Sequence, residues 1–163
     1  MIKSILRFFK FRKVVVATGG GFDPLHEGHI RLFKEAKQLG DVLVVLLNSD
    51  EQLIKKKGKT FYPSENERKE IIESIKYVDK VIIDPGKDTT CEEALKLIKP
   101  DILAKGGDRT PGNMAEIEIK VCKELGCKII YNVGGTKVQS SSWLLKRVKE
   151  TDANKIRENK DDP

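Results

Sequence analysis

Five short apolar runs punctuate this chain, and helical patterns separate them. The runs are Val14 to Thr18, Asp41 to Asn48, Val78 to Asp84, Asp101 to Ala104 and Lys128 to Val133. The first two are unbroken in Val, Leu and Ala and too short for a typical helix, which is how a strand covered on both faces reads. Between the runs, apolar residues recur at helical spacing: Ile30, Leu32, Phe33, Ala36 and Leu39; Ile71, Ile72 and Ile75; Ala94, Leu95 and Ile98; Met114, Ile117, Val121 and Leu125. This alternation predicts an α/β fold, a Rossmann-like doubly wound sheet of five parallel strands with right-handed crossovers. A chain of 163 residues is one domain's worth and can bury roughly 70% of its unfolded surface.

The first strand runs into Gly19-Gly20-Gly21-Phe22-Asp23-Pro24-Leu25-His26-Glu27-Gly28-His29. A strand-to-helix turn is where such a sheet binds phosphate: glycine lets the backbone approach, and the helix N-terminus offers unpaired N–H groups and a positive dipole end. His26 and His29 are the only histidines in the chain, and at a spacing of three they share one helix face. A zinc pair would need further ligands, and no other histidine exists to supply one. A pair of surface or hydrogen-bonded histidines is the plainer alternative, but the glycine run and Phe22-Asp23 beside the pair favour a phosphate site.

Other motifs follow later strands, so the topology places them at the same sheet edge. Asn48-Ser49-Asp50 closes the second strand, and Lys55-Lys56-Lys57-Gly58-Lys59 comes soon after as a charged loop. Ser64-x-x-Glu67 is a capping box with Arg68 in the first turn, where a cation opposes the helix dipole. The fourth strand runs into Lys105-Gly106-Gly107-Asp108. The fifth leads through Gly134-Gly135-Thr136-Lys137 to Ser140-Ser141-Ser142, a hydroxyl-rich helix start read from 143 to 148.

The glycine turn, Phe-Asp and His-x-Gly-His together resemble the cytidylyltransferase-like family of nucleotidyltransferases, over roughly Val14 to Val148. The Lys105–Asp108 and Asn48–Asp50 motifs look most like adenylyltransferases acting on heptose 1-phosphate. The region from Arg68 to Asp79 is similar to glycerol-3-phosphate cytidylyltransferases. The resemblance implies transfer of a nucleotidyl group from ATP or CTP to a phosphorylated sugar or polyol, with release of pyrophosphate. It assigns His26 and His29 to the α-phosphate and a lysine among Lys55, Lys56, Lys57 and Lys59 to bridging the substrates. Nucleotide contacts fall on Gly20, Gly21, Phe22, Asp23, Gly28, Asn48, Arg68, Lys105, Gly106, Gly107, Asp108, Lys137, Ser140, Ser141 and Ser142. The arginine that cytidylyltransferases carry just before the serine triplet is absent, which favours ATP, and Lys137 is the candidate replacement. Mg²⁺ is expected with a triphosphate, and Asp23 is a candidate either to orient a lysine or to help hold it. ATP with a sugar 1-phosphate is the expected pair. The alternatives are CTP with glycerol 3-phosphate or another phospho-alcohol, ATP with FMN, and a non-catalytic nucleotide-binding protein. Class I aminoacyl-tRNA synthetases share the His-x-Gly-His turn, but their lysine-serine signature is not present.

The formal charge of +6 invites a nucleic-acid reading, yet only 6% of residues are aromatic, too few for a single-strand stacking platform. Cys91, Cys122 and Cys127 are odd in number and form no Cys-x-x-Cys, so free thiols in a reducing compartment are expected, and a cytoplasmic location with them. Residues 1–13 read as a basic amphipathic helix for packing on the body, a subunit contact or an anionic membrane surface. A homodimer is expected. The core domain is read as 14–149 and residues 150–163 as a charged, disordered tail.

Overall fold

The computed structural model describes residues 12–58, 63–136, 138–144, 146–148 and 150. The amphipathic segment, except for Arg12 and Lys13, lies outside the described residues, as do Lys59, Lys137 and the tail from 151 onward. The expected five strands are present: β1 Val15–Gly20, β2 Val42–Leu47, β3 Lys80–Ile83, β4 Ile102–Gly106 and β5 Lys128–Val133. They form one parallel sheet in the order β3-β2-β1-β4-β5. Register is fixed from Val15 opposite Val42 to Gly20 opposite Leu47. The strand order reverses at β1, and a crevice outside the carboxyl ends is the consequence.

Alternate residues of each strand serve the two faces. Val16, Leu43, Val45, Leu47 and Ala104 pack with Phe22, Leu32, Phe33 and Ala36 on one side. Ala17, Val44, Leu46 and Leu103 pack with Cys91, Ala94, Leu95, Val121 and Cys122 on the other. The first face is covered by α1 (Glu27–Lys37), with α2 (Asp50–Lys57) and α3 (Glu65–Glu73) in the second crossover. The other face is covered by α4 (Glu92–Ile98) and α5 (Glu116–Leu125). Both faces being covered explains why the central strands read as unbroken apolar runs.

Two elements differ from the sequence reading. Lys55, Lys56 and Lys57 are not in a loop; they form the last turn of α2, which Gly58 ends at φ 78°. Ser49 starts that helix, its hydroxyl accepting from the Gln52 N–H while the Gln52 side chain accepts from the Ser49 N–H. Basic residues in the last turn suit the negative end of the helix dipole. The helix read from Pro111 begins only at Glu116, because 111–115 are spent on a turn in which Asn113 Oδ1 accepts from the Thr110 N–H.

Candidate active site

A cleft of about 550 Å³ opens at the carboxyl edge of the sheet. Helix α1 enters it with its N-terminus first. The His26 N–H donates to His29 Nδ1 at 3.3 Å, so the proton on a neutral His29 ring resides on Nε2. The two imidazoles stack with centroids 3.7 Å apart and planes 21° apart. Phe22, buried to 4% exposure, meets the His29 ring edge-on at 4.8 Å and fixes its orientation. Burial, and then the neighbouring His26, lower the His29 pKa to about 3, with Asp108 opposing. His29 is therefore an uncharged N–H donor at neutral pH, set at a helix end that is itself partly positive.

A second helix start meets the first. Ser140 caps it: its hydroxyl accepts from the Trp143 N–H at 3.2 Å, and lies 3.0 Å from the Ser142 hydroxyl. The Ser141 hydroxyl donates to the Pro24 carbonyl at 2.9 Å, which ties this turn to the one preceding α1. The serine triplet and both histidines line the same cleft. Two helix N-termini with hydroxyls between them are a phosphate receptor on physical grounds. Between β4 and β5 the walls touch: a Cβ on Gly107 would sit 1.9 Å from the Gly135 carbonyl oxygen, so only glycine closes that seam. On the cleft floor, the Thr18 hydroxyl is buried without a hydrogen-bond partner among the described residues.

The cleft brings together Gly20, Gly21, Phe22, His26, Gly28, His29, Asn48, Lys57, Lys105, Gly106, Gly107, Asp108 and the three serines. Three expected site residues are placed elsewhere. Arg68 has a structural motive that its sequence context hides. It is 2% exposed and donates to the carbonyls of Gly21 at 2.6 Å, Asn48 at 3.0 Å and Pro63 at 3.3 Å, and to Asp50 Oδ1 at 2.7 Å. It fastens the ends of β1 and β2 behind the cleft wall. Lys55 turns outward, donating to Glu51 and to the Lys87 carbonyl. Asp23 is 1% exposed and lies beneath Lys57, whose ammonium donates to the Asp23 carbonyl at 3.1 Å. Burial lowers the Lys57 pKa, Arg68 adds to this, and Asp23 opposes it.

Lys105 reaches the cleft, though not as a free cation. Its ammonium donates to Glu118 Oε2 at 2.6 Å, and each residue is 8% exposed. Glu118 Oε1 accepts from the Cys91 N–H at 3.2 Å and from its thiol at 3.0 Å. Burial opposes both charges, but the pair outweighs it: Lys105 is raised and Glu118 lowered. Burial pushes the Cys91 thiol far upward, so it remains protonated. Glu118, Cys91, Thr90 and Met114 line the cleft without having been marked in the sequence.

Two helix starts with hydroxyls between them, facing one cleft, can receive phosphate groups. Residues 17–158 match the family described as cytidylyltransferase-like. The chain belongs to that family. It is accordingly a nucleotidyltransferase. Its relatives include the FAD synthase of Thermococcus sibiricus, 36% identical over 87% of this chain and 97% of that protein. The bifunctional protein HldE of Aliarcobacter butzleri is 36% identical over 92% of this chain and 30% of that protein. Against the FAD synthase of Pyrococcus abyssi, at 42% identity, the match spans 66% of that protein. Among solved structures, the lipopolysaccharide core biosynthesis protein of Thermoplasma volcanium is similar at 33% identity and TM-score 0.62, over 74% of this chain and 96% of that one.

No helix among the described residues is long and apolar enough to cross a membrane. None of them gather three or more His, Cys, Asp or Glu side chains that could hold a metal ion.

Proposed function

We propose that the enzyme transfers AMP from ATP to the phosphate of FMN, giving FAD and pyrophosphate. The nucleotidyl-transfer half rests on one observation: the stacked His26–His29 pair and the Ser140–Ser142 turn face one cleft from two helix N-termini. A phosphate oxygen of the acceptor attacks the α-phosphorus, the bond to the bridging oxygen breaks, and pyrophosphate leaves. The nucleophile is already an anion, so no general base and no covalent enzyme intermediate are needed. The residues align two anions and stabilise charge on the phosphoryl oxygens. His29 Nε2–H, His26 and the first N–H groups of α1 would hold the α-phosphate. Ser140, Ser141 and Ser142 would receive the leaving pyrophosphate, and Lys57 would offset charge between the substrates.

FMN is preferred as the acceptor because the similarity to an FAD synthase runs through 97% of that relative. A sugar 1-phosphate has its own support, in the 92% of this chain that matches HldE. A pyrophosphate-release assay with ATP or CTP against FMN, heptose 1-phosphate and glycerol 3-phosphate decides between them. Turnover with ATP and FMN at least ten times that with any other pair is expected. Preference for a sugar 1-phosphate would replace the FMN reading, and absence of pyrophosphate with every pair would remove the enzymatic one.

A further inference from the structure

The ends of β2 and β3 carry buried polar side chains that the phosphate site does not use. Asn48, Gln52 and Asp84 are 5%, 1% and 2% exposed. They form a chain of contacts from the interior to the cleft, which Asn48 lines. Asp84 is its inner end. One carboxylate oxygen accepts from the Gly86 N–H at 2.6 Å and the other from the Ala94 N–H at 3.3 Å. Burial raises the Asp84 pKa, and both N–H groups and the Gln52 side chain oppose the rise. Gln52 is the middle of the chain. Its Nε2 donates to the Thr90 carbonyl at 3.1 Å. Its Oε1 accepts from the Ser49 N–H at 3.0 Å and from Asn48 Nδ2 at 3.0 Å.

Polarity decides how both amides are turned. A backbone carbonyl only accepts and a backbone N–H only donates. Gln52 cannot turn over without setting oxygen against the Thr90 carbonyl and its NH₂ group against the Ser49 N–H. With Gln52 Oε1 fixed as an acceptor, Asn48 must offer it Nδ2. Asn48 Oδ1, on the other branch of the amide, takes no hydrogen bond from any described residue. The Asn48 backbone is pinned as well: its N–H donates to the Gly20 carbonyl at 2.9 Å, and its carbonyl accepts from Arg68 at 3.0 Å. A capping box requires only the contact between Gln52 and Ser49; the grip on Asn48 is additional. We propose that Gln52 is a positioning residue, which keeps the Asn48 carbonyl oxygen turned to the substrates so that this wall reads a substrate hydroxyl. The hydroxyl belongs to the carbon chain next to a reacting phosphate, because Asn48 is bonded to the glycine turn that leads into α1. The ribose of the triphosphate and the polyol or sugar of the acceptor both own such a group. The proposal rests on the nucleotidyl-transfer reading above and not on the choice of FMN.

The test is steady-state pyrophosphate release by the full chain. Its probes are 2′-deoxy-ATP, 3′-deoxy-ATP and FMN lacking the 2′-hydroxyl of its ribityl chain. The wild type should lose at least ~10-fold in kcat/KM with one or more of them, since a site built to hydrogen-bond a hydroxyl rejects the analogue that lacks it. For at least one probe, that penalty should shrink to within twofold in Gln52→Met, where Asn48 is free to turn, and in Asn48→Leu. A role confined to folding would lower the use of parent and analogue alike and leave the penalty in place. A penalty that collapses for a deoxy-ATP gives the hydroxyl to the nucleotide, and one that collapses for the deoxyflavin gives it to the acceptor; either supports the proposal. Penalties unchanged in Gln52→Met overturn it, as does a wild type that uses every probe as well as its parent. Penalties that survive Asn48→Leu overturn it even where Gln52→Met does not fold. If FMN is not used and heptose 1-phosphate is, the FMN reading falls alone, and a deoxy form of that sugar replaces the flavin probe. Absence of pyrophosphate with every pair overturns both readings.

Discussion

The two faces of the sheet bring opposite electrostatics to one cleft. On the α1 face the groups at the two helix starts are uncharged donors, a neutral His29 ring, serine hydroxyls and open N–H groups, with Lys57 of α2 as the cation at their margin. On the α4–α5 face the groups are fully charged but already balanced, Lys105 against Glu118 at 2.6 Å. The contrast separates two tasks. Neutral donors accept an anion without first having to lose a charged partner, which suits a site that must bind and release phosphoryl groups in every cycle. An internally balanced pair adds direction to its wall of the cleft but almost no net charge.

The strongest way to break the contrast is to unbalance the charged side. Lys105→Met leaves the Glu118 carboxylate buried beside Cys91 with no cation. Removing one partner of a buried pair typically destabilises by about 3–5 kcal/mol, so the urea midpoint should fall sharply. Adding Glu118→Leu should restore most of the loss, since an apolar pair of similar size is tolerated there. A loss below about 1 kcal/mol in Lys105→Met would show the pair to be solvated, and the contrast between faces would dissolve. The next largest effect belongs to the neutral side. His26→Ala together with His29→Ala should lower turnover at least ~100-fold, the scale of lost transition-state donors, with circular dichroism unchanged. Turnover that survived this change would move the chemistry away from α1.

Those experiments also mark what a reader of the sequence could see. The sheet was legible because each strand is a short apolar run and each crossover a 3.6-residue pattern. The meeting of two helix starts at one cleft was legible because each is a contiguous stretch, Gly19 to His29 and Ser140 to Ser142, where local rules apply. The structural partners of Arg68 were not legible, because the Gly21 and Asn48 carbonyls lie 47 and 20 positions away. The lysines at 55 and 57 could not be told apart before the helix around them was recognised; the turn of α2 points one at Glu51 and the other at the cleft. The Ser49-x-x-Gln52 capping pattern was the available signal for that helix. Glu118 had a signal too. It lies beside Ile117 on the apolar stripe of Met114, Ile117, Val121 and Leu125, and a charge next to a buried face calls for a partner or a task.

The smallest of the expected effects bears on the assumption beneath the contrast, that His29 is uncharged. Its pKa is about 3 in the folded protein against an ordinary 6.5. Between those values the unfolded chain binds a proton that the folded chain does not. Folding stability therefore falls as pH drops below 6.5, by up to about 1.4 kcal/mol per pH unit, and the contribution is fully present only above 6.5. From pH 6.5 to 5.0 the ligand-free protein should lose up to about 2 kcal/mol from this group, and His29→Gln should remove that slope. Triphosphate should flatten the wild-type slope as well, because an anion against Nε2–H favours the charged ring. Urea titrations of wild type and His29→Gln at the two pH values read this directly. Parallel slopes would mean that the ring is hydrated and able to charge freely, and the α1 end would then bind phosphate as a cation, like an ordinary lysine site.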